Sequence, residues 1–318
     1  MEKTQSSVFK PPPYLRYFSL GDNIVIICFH SITISLMPHF LYSYYFKKTR
    51  LKVHTLSSSM LIFLWTHIIC SIVDVPYHAY IVLKWNPAIQ DSYDPYSLYW
   101  TGISVSVYYN LTSLSVLLLS LDRLLALKFP YRYKGRIEAW VPTVTILILV
   151  AFSIPPFALY FLALPLELEK VKYCQSQSCL LTRFNGTNTI QYMRLVTMAV
   201  NFWVSGYLLW IFRSVGNKEQ LNNRAVKMTI ILEILLNAIP SVASQICYTV
   251  LNFNFVNHVG PMQSVLITSN IALCAMYAWS IMVRRSRANV SPESTKIVAH
   301  IRPTKNVWNR QADSATAN

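Results

Sequence analysis

Seven long apolar runs, separated by short polar connections, dominate this chain. A helix needs roughly 20 apolar residues to cross a hydrocarbon core of about 30 Å, and each run has that length. In lipid the backbone N–H and C=O groups must bond within the segment, so such a run can cross only as a helix. We therefore predict an all-α membrane protein, a seven-transmembrane helix bundle with helices at about 23–46, 56–83, 97–121, 139–164, 190–212, 226–251 and 261–283.

The composition supports a membrane environment and excludes an ordinary soluble domain. Apolar residues make up 53% of the 318 residues and charged residues only 13%, which is too apolar for a soluble surface. A net charge of +15 can indicate nucleic-acid binding, but here the basic residues cluster in the connections between apolar runs. We therefore expect a lipid bilayer, and no nucleic acid, as a partner.

The distribution of Lys and Arg predicts the orientation of the chain. With the N-terminus outside, nineteen basic residues fall in cytoplasmic segments and seven in external ones. Because cytoplasmic loops carry the excess of positive charge, this orientation is favoured. It gives an extracellular N-terminus at 1–22, a seven-helix domain at 23–283 and a cytoplasmic tail at 284–318.

An acid–base pair, Asp122 and Arg123, stands at the cytoplasmic end of the third run. Charges in a span are costly unless they are paired or functional. Asp122 can hold the Arg123 guanidinium in an ion pair, and release of that pair would free the Arg for a partner. Alternatively, both are ordinary helix-end charges in the headgroup zone, with the Arg extending to the interface.

This segment resembles the Asp-Arg-Tyr signature of rhodopsin-like G-protein-coupled receptors. The matching residues are Asp122, Arg123, Leu125, Ala126, Pro130, Arg132 and Tyr133. The resemblance implies a receptor that activates a heterotrimeric G protein, with Arg123 contacting the C-terminal helix of that protein. Pro130, Tyr131, Arg132 and Tyr133 would help to form the docking surface. Leu124 departs from the pattern, since the family usually has Tyr there.

Other marks of the rhodopsin-like family are altered. Pro240 follows Asn237-Ala238-Ile239 instead of Cys-Trp-x, and Asn270 and Tyr277 are not arranged as Asn-Pro-x-x-Tyr. A chain that keeps the Asp-Arg segment without these marks resembles the divergent serpentine chemosensory receptors of nematodes. That resemblance implies a chemoreceptor in the plasma membrane that binds a small extracellular ligand, and a location in sensory cilia.

Polar and aromatic residues within the spans are candidate contacts for such a ligand, and Asp74 is the first choice. The others are Tyr77, Tyr108, Tyr109, Arg194, Gln245 and Tyr248. The alternative for Asp74 is a helix–helix hydrogen bond, and for the others packing or contact with headgroups. A conformational switch is predicted from Glu233, Pro240, Asn270 and Tyr277, although an unpaired protonated Glu233 is the alternative.

The external loops carry two further candidates. Cys174 and Cys179 can close a small disulfide loop in the oxidising exterior, with two free thiols as the alternative. Asn185 begins an Asn-Gly-Thr glycosylation acceptor, a sequon that is common by chance.

No metal-ligand cluster, phosphate-binding Gly loop or nucleophile motif is found in the sequence, so we expect no enzyme, cofactor or metal. The main alternative function is a seven-span transporter or channel for a small solute. That class would show an internal repeat, broken helices in corresponding halves or a ring of pore charges, and none is found. A membrane scaffold without a ligand is not distinguished by the sequence.

Overall fold

The structure is a computed structural model. It describes residues 13–46, 57–86, 93–133, 137–166, 180, 186–214, 221–251 and 261–299.

Seven long helices make up almost all of the described chain. They are α1 (Pro13–Phe46), α2 (Ser58–Lys84), α3 (Pro95–Lys128), α4 (Glu138–Leu162), α5 (Gly186–Ser214), α6 (221–251) and α7 (Met262–Ala299). Each contains a segment long and apolar enough to span a membrane, and the described residues contain no strand. The predicted all-α bundle of seven helices is therefore confirmed, and the chain is a multi-pass membrane protein by the length and composition of its helices.

Three helices extend at least seven residues beyond a predicted end. The helix α1 begins ten residues before position 23, α3 continues seven residues past position 121, and α7 continues to Ala299. The predicted ends were placed where the apolar runs end. A helix can continue beyond that point wherever the residues are good helix formers, and Leu and Ala follow Arg123. As a result, Asp122 and Arg123 lie inside the last two turns of α3.

Local side-chain bonds explain where α2 and α3 begin. Ser57 caps α2 by accepting a hydrogen bond from the backbone N–H of Met60, at 3.3 Å. Asp94 caps α3 by accepting from the N–H of Ser97, at 2.7 Å, and Pro95 occupies the first helical turn. Hydrogen bonds from Ser97 lower the pKa of the Asp94 carboxyl, so the cap is ionised at neutral pH.

The helix α6 is interrupted near its middle by a wider turn. Its three consecutive segments are an α-helix at Leu221–Glu233, a π-helix at Ile234–Ala238 and a second α-helix at Ile239–Leu251. Pro240 stands just after the π-segment; it has no N–H, and its ring would clash with a carbonyl one turn earlier in a regular helix. The π-turn relieves this conflict and marks the deformable point of α6.

Contacts between neighbouring helices show that they run antiparallel. Residue 23 of α1 meets residue 78 of α2, and residue 30 meets residue 74. Likewise, residue 191 of α5 meets residue 245 of α6. The helix α3 lies at the centre, since 78% of its most apolar window is buried, against 22–44% in the other spans.

Two apolar clusters form the core. One joins α1, α2, α3, α5, α6 and α7 toward the C-terminal end of α3, and its largest buried side chains include Met37, Phe63 and Ile230. The other packs α4 against α2 and α3 around Tyr99 and Tyr160. Between them, polar side chains from six helices are buried at mid-depth.

The outer faces of α4 and α5 are covered by apolar side chains. The most exposed of these include Trp140 and Leu147 on α4, and Trp203 and Trp210 on α5. Such continuous apolar surface is too extensive for water and fits the hydrocarbon of a bilayer.

Tyr160 and Trp203 offer a matched test of this arrangement. Tyr160 is fully buried and its hydroxyl contacts that of Ser106 at 2.8 Å, whereas Trp203 is 77% exposed. We expect Tyr160→Ala to lower the free energy of unfolding by about 3 kcal/mol, because it opens a cavity and removes a hydrogen bond. Trp203→Ala is the control, with an expected change within about 0.5 kcal/mol. Unfolding of the detergent-solubilised protein by SDS measures both, and equal losses would contradict the assignment of buried and lipid-facing sides.

Candidate functional site

A third residue, Tyr133, is hydrogen-bonded to the acid–base pair at the end of α3. Arg123 donates a hydrogen bond to Asp122 at 2.8 Å, and the Tyr133 hydroxyl donates to the other oxygen of Asp122. Asp122 and Arg123 are both buried, at 2% and 9% exposure. We call these three residues the Asp-Arg cluster. The sequence predicted the ion pair but not the bond from Tyr133.

Tyr133 reaches Asp122 because the chain turns back after α3. A single helical turn, Pro130–Arg132, begins at the proline and carries the exposed side chains of Tyr131 and Arg132. Burial raises the pKa of the Tyr133 phenol, and its hydrogen bond to Asp122 raises it further. The phenol therefore stays protonated at neutral pH and remains a donor to the carboxylate.

A second cluster lies at mid-depth, where α3, α5, α6 and α7 meet. We call it the Glu233 cluster, and its members are Ser113, Arg194, Glu233, Asn237, Ser241, Gln263 and Asn270. Glu233 accepts from Ser113 at 3.0 Å and from Asn237 at 2.7 Å through one oxygen, and from Asn270 at 2.7 Å through the other. The carboxyl of Glu233 thus ties α6 to α3 and α7.

Asn237 links the acid of this cluster to its base. Its amide nitrogen donates to Glu233, while its amide oxygen accepts from Arg194 at 2.8 Å. Arg194 also donates to Ser241 at 3.2 Å and lies over the ring of Tyr109, 5.6 Å from its centroid. Because Asn237 sits in the π-segment, a change in the winding of α6 would alter both bonds together.

A third cluster joins α1 to α2 and consists of Asn23, His30, Asp74 and His78. Asp74 Oδ2 lies 3.0 Å from Nε2 of His30 and 3.4 Å from Nε2 of His78. The Nδ1 atom of His78 is 2.7 Å from the side-chain oxygen of Asn23. All four side chains are buried, with 0–2% exposure. We call this group the histidine cluster.

The predicted ligand contacts are divided among these clusters. Asp74 is fully buried and makes the helix–helix contact that was the alternative to a pocket role. Tyr109 and Arg194 lie together in or beside the Glu233 cluster, and Tyr108 packs on His30 with ring centroids 5.6 Å apart.

The remaining predicted contacts lie nearer the ends of the helices. Tyr77 is buried and its ring meets that of His78 edge-on, with centroids 5.1 Å apart. Gln245 accepts a hydrogen bond from Gln191 of α5 at 2.6 Å. The backbone of Tyr248 lies in the second α-helical segment of α6.

Two of the four predicted switch residues are in direct contact, and the other two lie about two turns from them along their helices. Glu233 and Asn270 are hydrogen-bonded, and Pro240 follows the π-segment that carries Asn237. Tyr277 is half-buried two turns farther along α7 than Asn270. Three other predicted residues, Cys174, Cys179 and Asn185, lie outside the described residues.

Seven residues of these clusters were not among the predicted site residues: Asn23, His30, His78, Ser113, Asn237, Ser241 and Gln263. Asn23 and His30 are seven residues apart in an apolar run, which puts them on one face of α1, and that spacing was the available signal. His30 and Asp74 are separated by 44 positions, so their contact has no local signature.

Searches against models of known protein families and against curated proteins found no match for this chain.

The bond between Glu233 and Asn270 can be tested by exchanging acid and amide. In Glu233→Gln, the amide N–H group of the new Gln faces the amide donor of Asn270. In Asn270→Asp, two carboxyl groups face each other. Each variant should therefore lower the free energy of unfolding by about 1–2 kcal/mol. The double variant restores one donor and one acceptor across α6 and α7, so it should be more stable than either single variant. Additive losses in SDS unfolding would contradict a direct bond.

Proposed function

We propose that the protein is a G-protein-coupled receptor of the plasma membrane, with its N-terminus outside, that binds a small extracellular ligand and activates a heterotrimeric G protein. The observation that supports this most is the Asp-Arg cluster. Arg123 is a buried cation held by Asp122 at the end of a span, and Asp122 is held in turn by Tyr133 from the following turn. A buried pair of this kind has two discrete arrangements, bound and released.

Release of Arg123 would expose a cation between the ends of the helices. The C-terminal helix of a G protein could then accept its hydrogen bonds. Exposed side chains of the adjacent turn, Tyr131 and Arg132, would add contacts at the same face. The positive-inside count puts this face in the cytoplasm, where G proteins are found.

The Glu233 cluster joins the opposite half of the bundle to the middle of α6, and the N-terminal half of α6 packs against α3 on the way toward this face. Arg194 lies within the first turns of α5 and Gln263 at the start of α7, on the side proposed to be external. A ligand that contacts Arg194 would compete for its bond to Asn237. Because Asn237 also holds Glu233 and lies in the π-segment, loss of that bond would favour a different winding of α6.

A transporter of a small solute is the second candidate, and one observation favours it. Ionisable side chains are buried at mid-depth in two separate clusters, around Asp74 and Glu233, and such groups are common in proton- or ion-coupled carriers. A carrier does not need the Asp-Arg cluster for its activity, whereas a receptor does. Variants of Arg123 therefore separate the two functions.

Ligand-independent G-protein activation in cells provides the test, because no ligand has to be known. We expect Asp122→Asn to raise basal activation several-fold, since the neutral amide holds Arg123 less tightly. Arg123→Ala should lower both basal and Asp122→Asn-stimulated activation to background, because the contacting cation is gone. All variants are compared at equal surface expression.

Lys84→Ala is the matched control, since Lys84 is an exposed basic residue at the opposite end of the bundle. It should leave basal activation unchanged. Activation by Asp122→Asn that persists in the Asp122→Asn/Arg123→Ala double variant would overturn the role of Arg123. Solute uptake that is independent of Arg123, with no G-protein activation, would favour the transporter.

A further inference from the structure

Three side chains of types that bind metal ions meet in the histidine cluster, which the proposed signalling route does not use. His30 comes from α1, while Asp74 and His78 lie one turn apart on the same face of α2. One candidate ligand atom from each lies within 4.8 Å of the others, and all three side chains are buried.

The spacing of these atoms suits a tetrahedral ion. Zn²⁺ binds His nitrogen and carboxylate oxygen at about 2.0–2.2 Å, which separates two ligand atoms by about 3.3–3.6 Å in a tetrahedron. Asp74 Oδ2 lies 3.0 Å from His30 Nε2 and 3.4 Å from His78 Nε2. The ligand atoms of the two histidines lie within 4.8 Å of each other, so side-chain rotation that brings them to about 3.3–3.6 Å would complete the site.

The hydrogen bonds of Asn23 fix which nitrogen of His78 is free to bind an ion. The Asn23 amide nitrogen donates to the backbone oxygen of Ser19 at 2.7 Å, so its side-chain oxygen faces Nδ1 of His78 as an acceptor. Nδ1 must therefore carry a proton, so Nε2, which faces Asp74, is the nitrogen available to an ion. Metal-binding histidines commonly have this arrangement, with the second nitrogen donating to an oxygen.

Hydrogen bonds leave two atoms of the cluster unsatisfied. The buried Nε2 of His78 and Oδ1 of Asp74 have no hydrogen-bond partner, because the 3.4 Å contact between His78 and Asp74 lacks hydrogen-bond geometry. In the neutral imidazole the Nε2 lone pair of His78 would face the Asp74 carboxylate, which is repulsive unless a proton or a metal ion lies between them. A metal ion would remove this repulsion and balance the buried charge of Asp74.

We propose that His30, Asp74 and His78 bind a divalent transition-metal ion that joins α1 to α2. Two imidazoles and one carboxylate are a ligand set typical of Zn²⁺, which is the expected ion, whereas Mg²⁺ and Ca²⁺ prefer all-oxygen sites. Three protein ligands leave a fourth position for water or an external donor. Asp74 is ten residues from the end of α2, so the ion would lie about 15 Å below that end.

Zinc titration of the chelator-treated protein in lipid nanodiscs tests the site. The native chain is expected to bind one more equivalent of Zn²⁺ than His78→Ala or His30→Ala, as measured by elemental analysis after dialysis. At roughly a hundred times the dissociation constant, Zn²⁺ should raise the Tm of the native chain by about 5 °C and leave that of the two variants unchanged.

Two further variants test whether Zn²⁺ affinity depends on the orientation of His78 and on these histidines in particular. Asn23→Ala keeps all three ligands but removes the acceptor that orients His78, so Zn²⁺ affinity should fall by about 10–100-fold. His39→Ala is the control, since it removes an exposed histidine of α1 outside the cluster and should bind as the native chain does.

A gain-of-signal variant keeps the test decisive if a ligand-deletion variant fails to fold. Asp74→Cys retains three ligands and should give a thiolate-to-metal charge-transfer band with Co²⁺, which the native chain lacks. Equal Zn²⁺ uptake by the native chain and His78→Ala, or no such band in folded Asp74→Cys, would overturn the proposal and leave a hydrogen-bonded cluster. These readouts do not involve a G protein, so they are independent of the proposed signalling.

Discussion

The cost of a polar group in hydrocarbon is the constraint on which the rest of this structure depends. Lipid offers no hydrogen bonds, which creates a demand for hydrogen-bond partners in another helix or in the helix's own backbone. Glu233 meets this demand with three donors from three helices. The same demand joins α1 to α2 through Asp74. Polar pairing therefore adds specific contacts between neighbouring helices, and apolar packing fills the space above and below.

The helix α6 shows how this constraint produces a deformable element. The π-segment lies just before Pro240, and it carries Asn237, which is hydrogen-bonded to both Glu233 and Arg194. The segment is held by hydrogen bonds to side chains from other helices instead of by dense packing alone. A bundle built in this way can exchange one set of bonds for another at modest cost, which is the physical requirement for a two-state membrane protein.

The sequence allowed prediction of the elements and of isolated functional residues, but not of their partners. The apolar runs predict the seven helices, and the ion pair of Asp122 and Arg123 is predicted because the two residues are adjacent in the chain. Glu233 and Asn270 were selected because they are polar in apolar runs, yet their direct bond depends on the rotation of α6 and α7. His30 was missed because its contact with Asp74 spans 44 positions. Helix ends were misplaced where Leu and Ala continue a helix past the first charges.

The sequence by itself determined that this protein crosses a membrane seven times, since about 20 consecutive apolar residues have no other stable environment. It also determined the adjacency of Asp122 and Arg123, because this is a local property of the chain. Only the tertiary structure decided that Tyr133 closes the Asp-Arg cluster, that Asn237 links Arg194 to Glu233 and that His30 completes a group with Asp74 and His78. These contacts depend on how each helix is rotated and paired, and that is set by the joint packing of all seven.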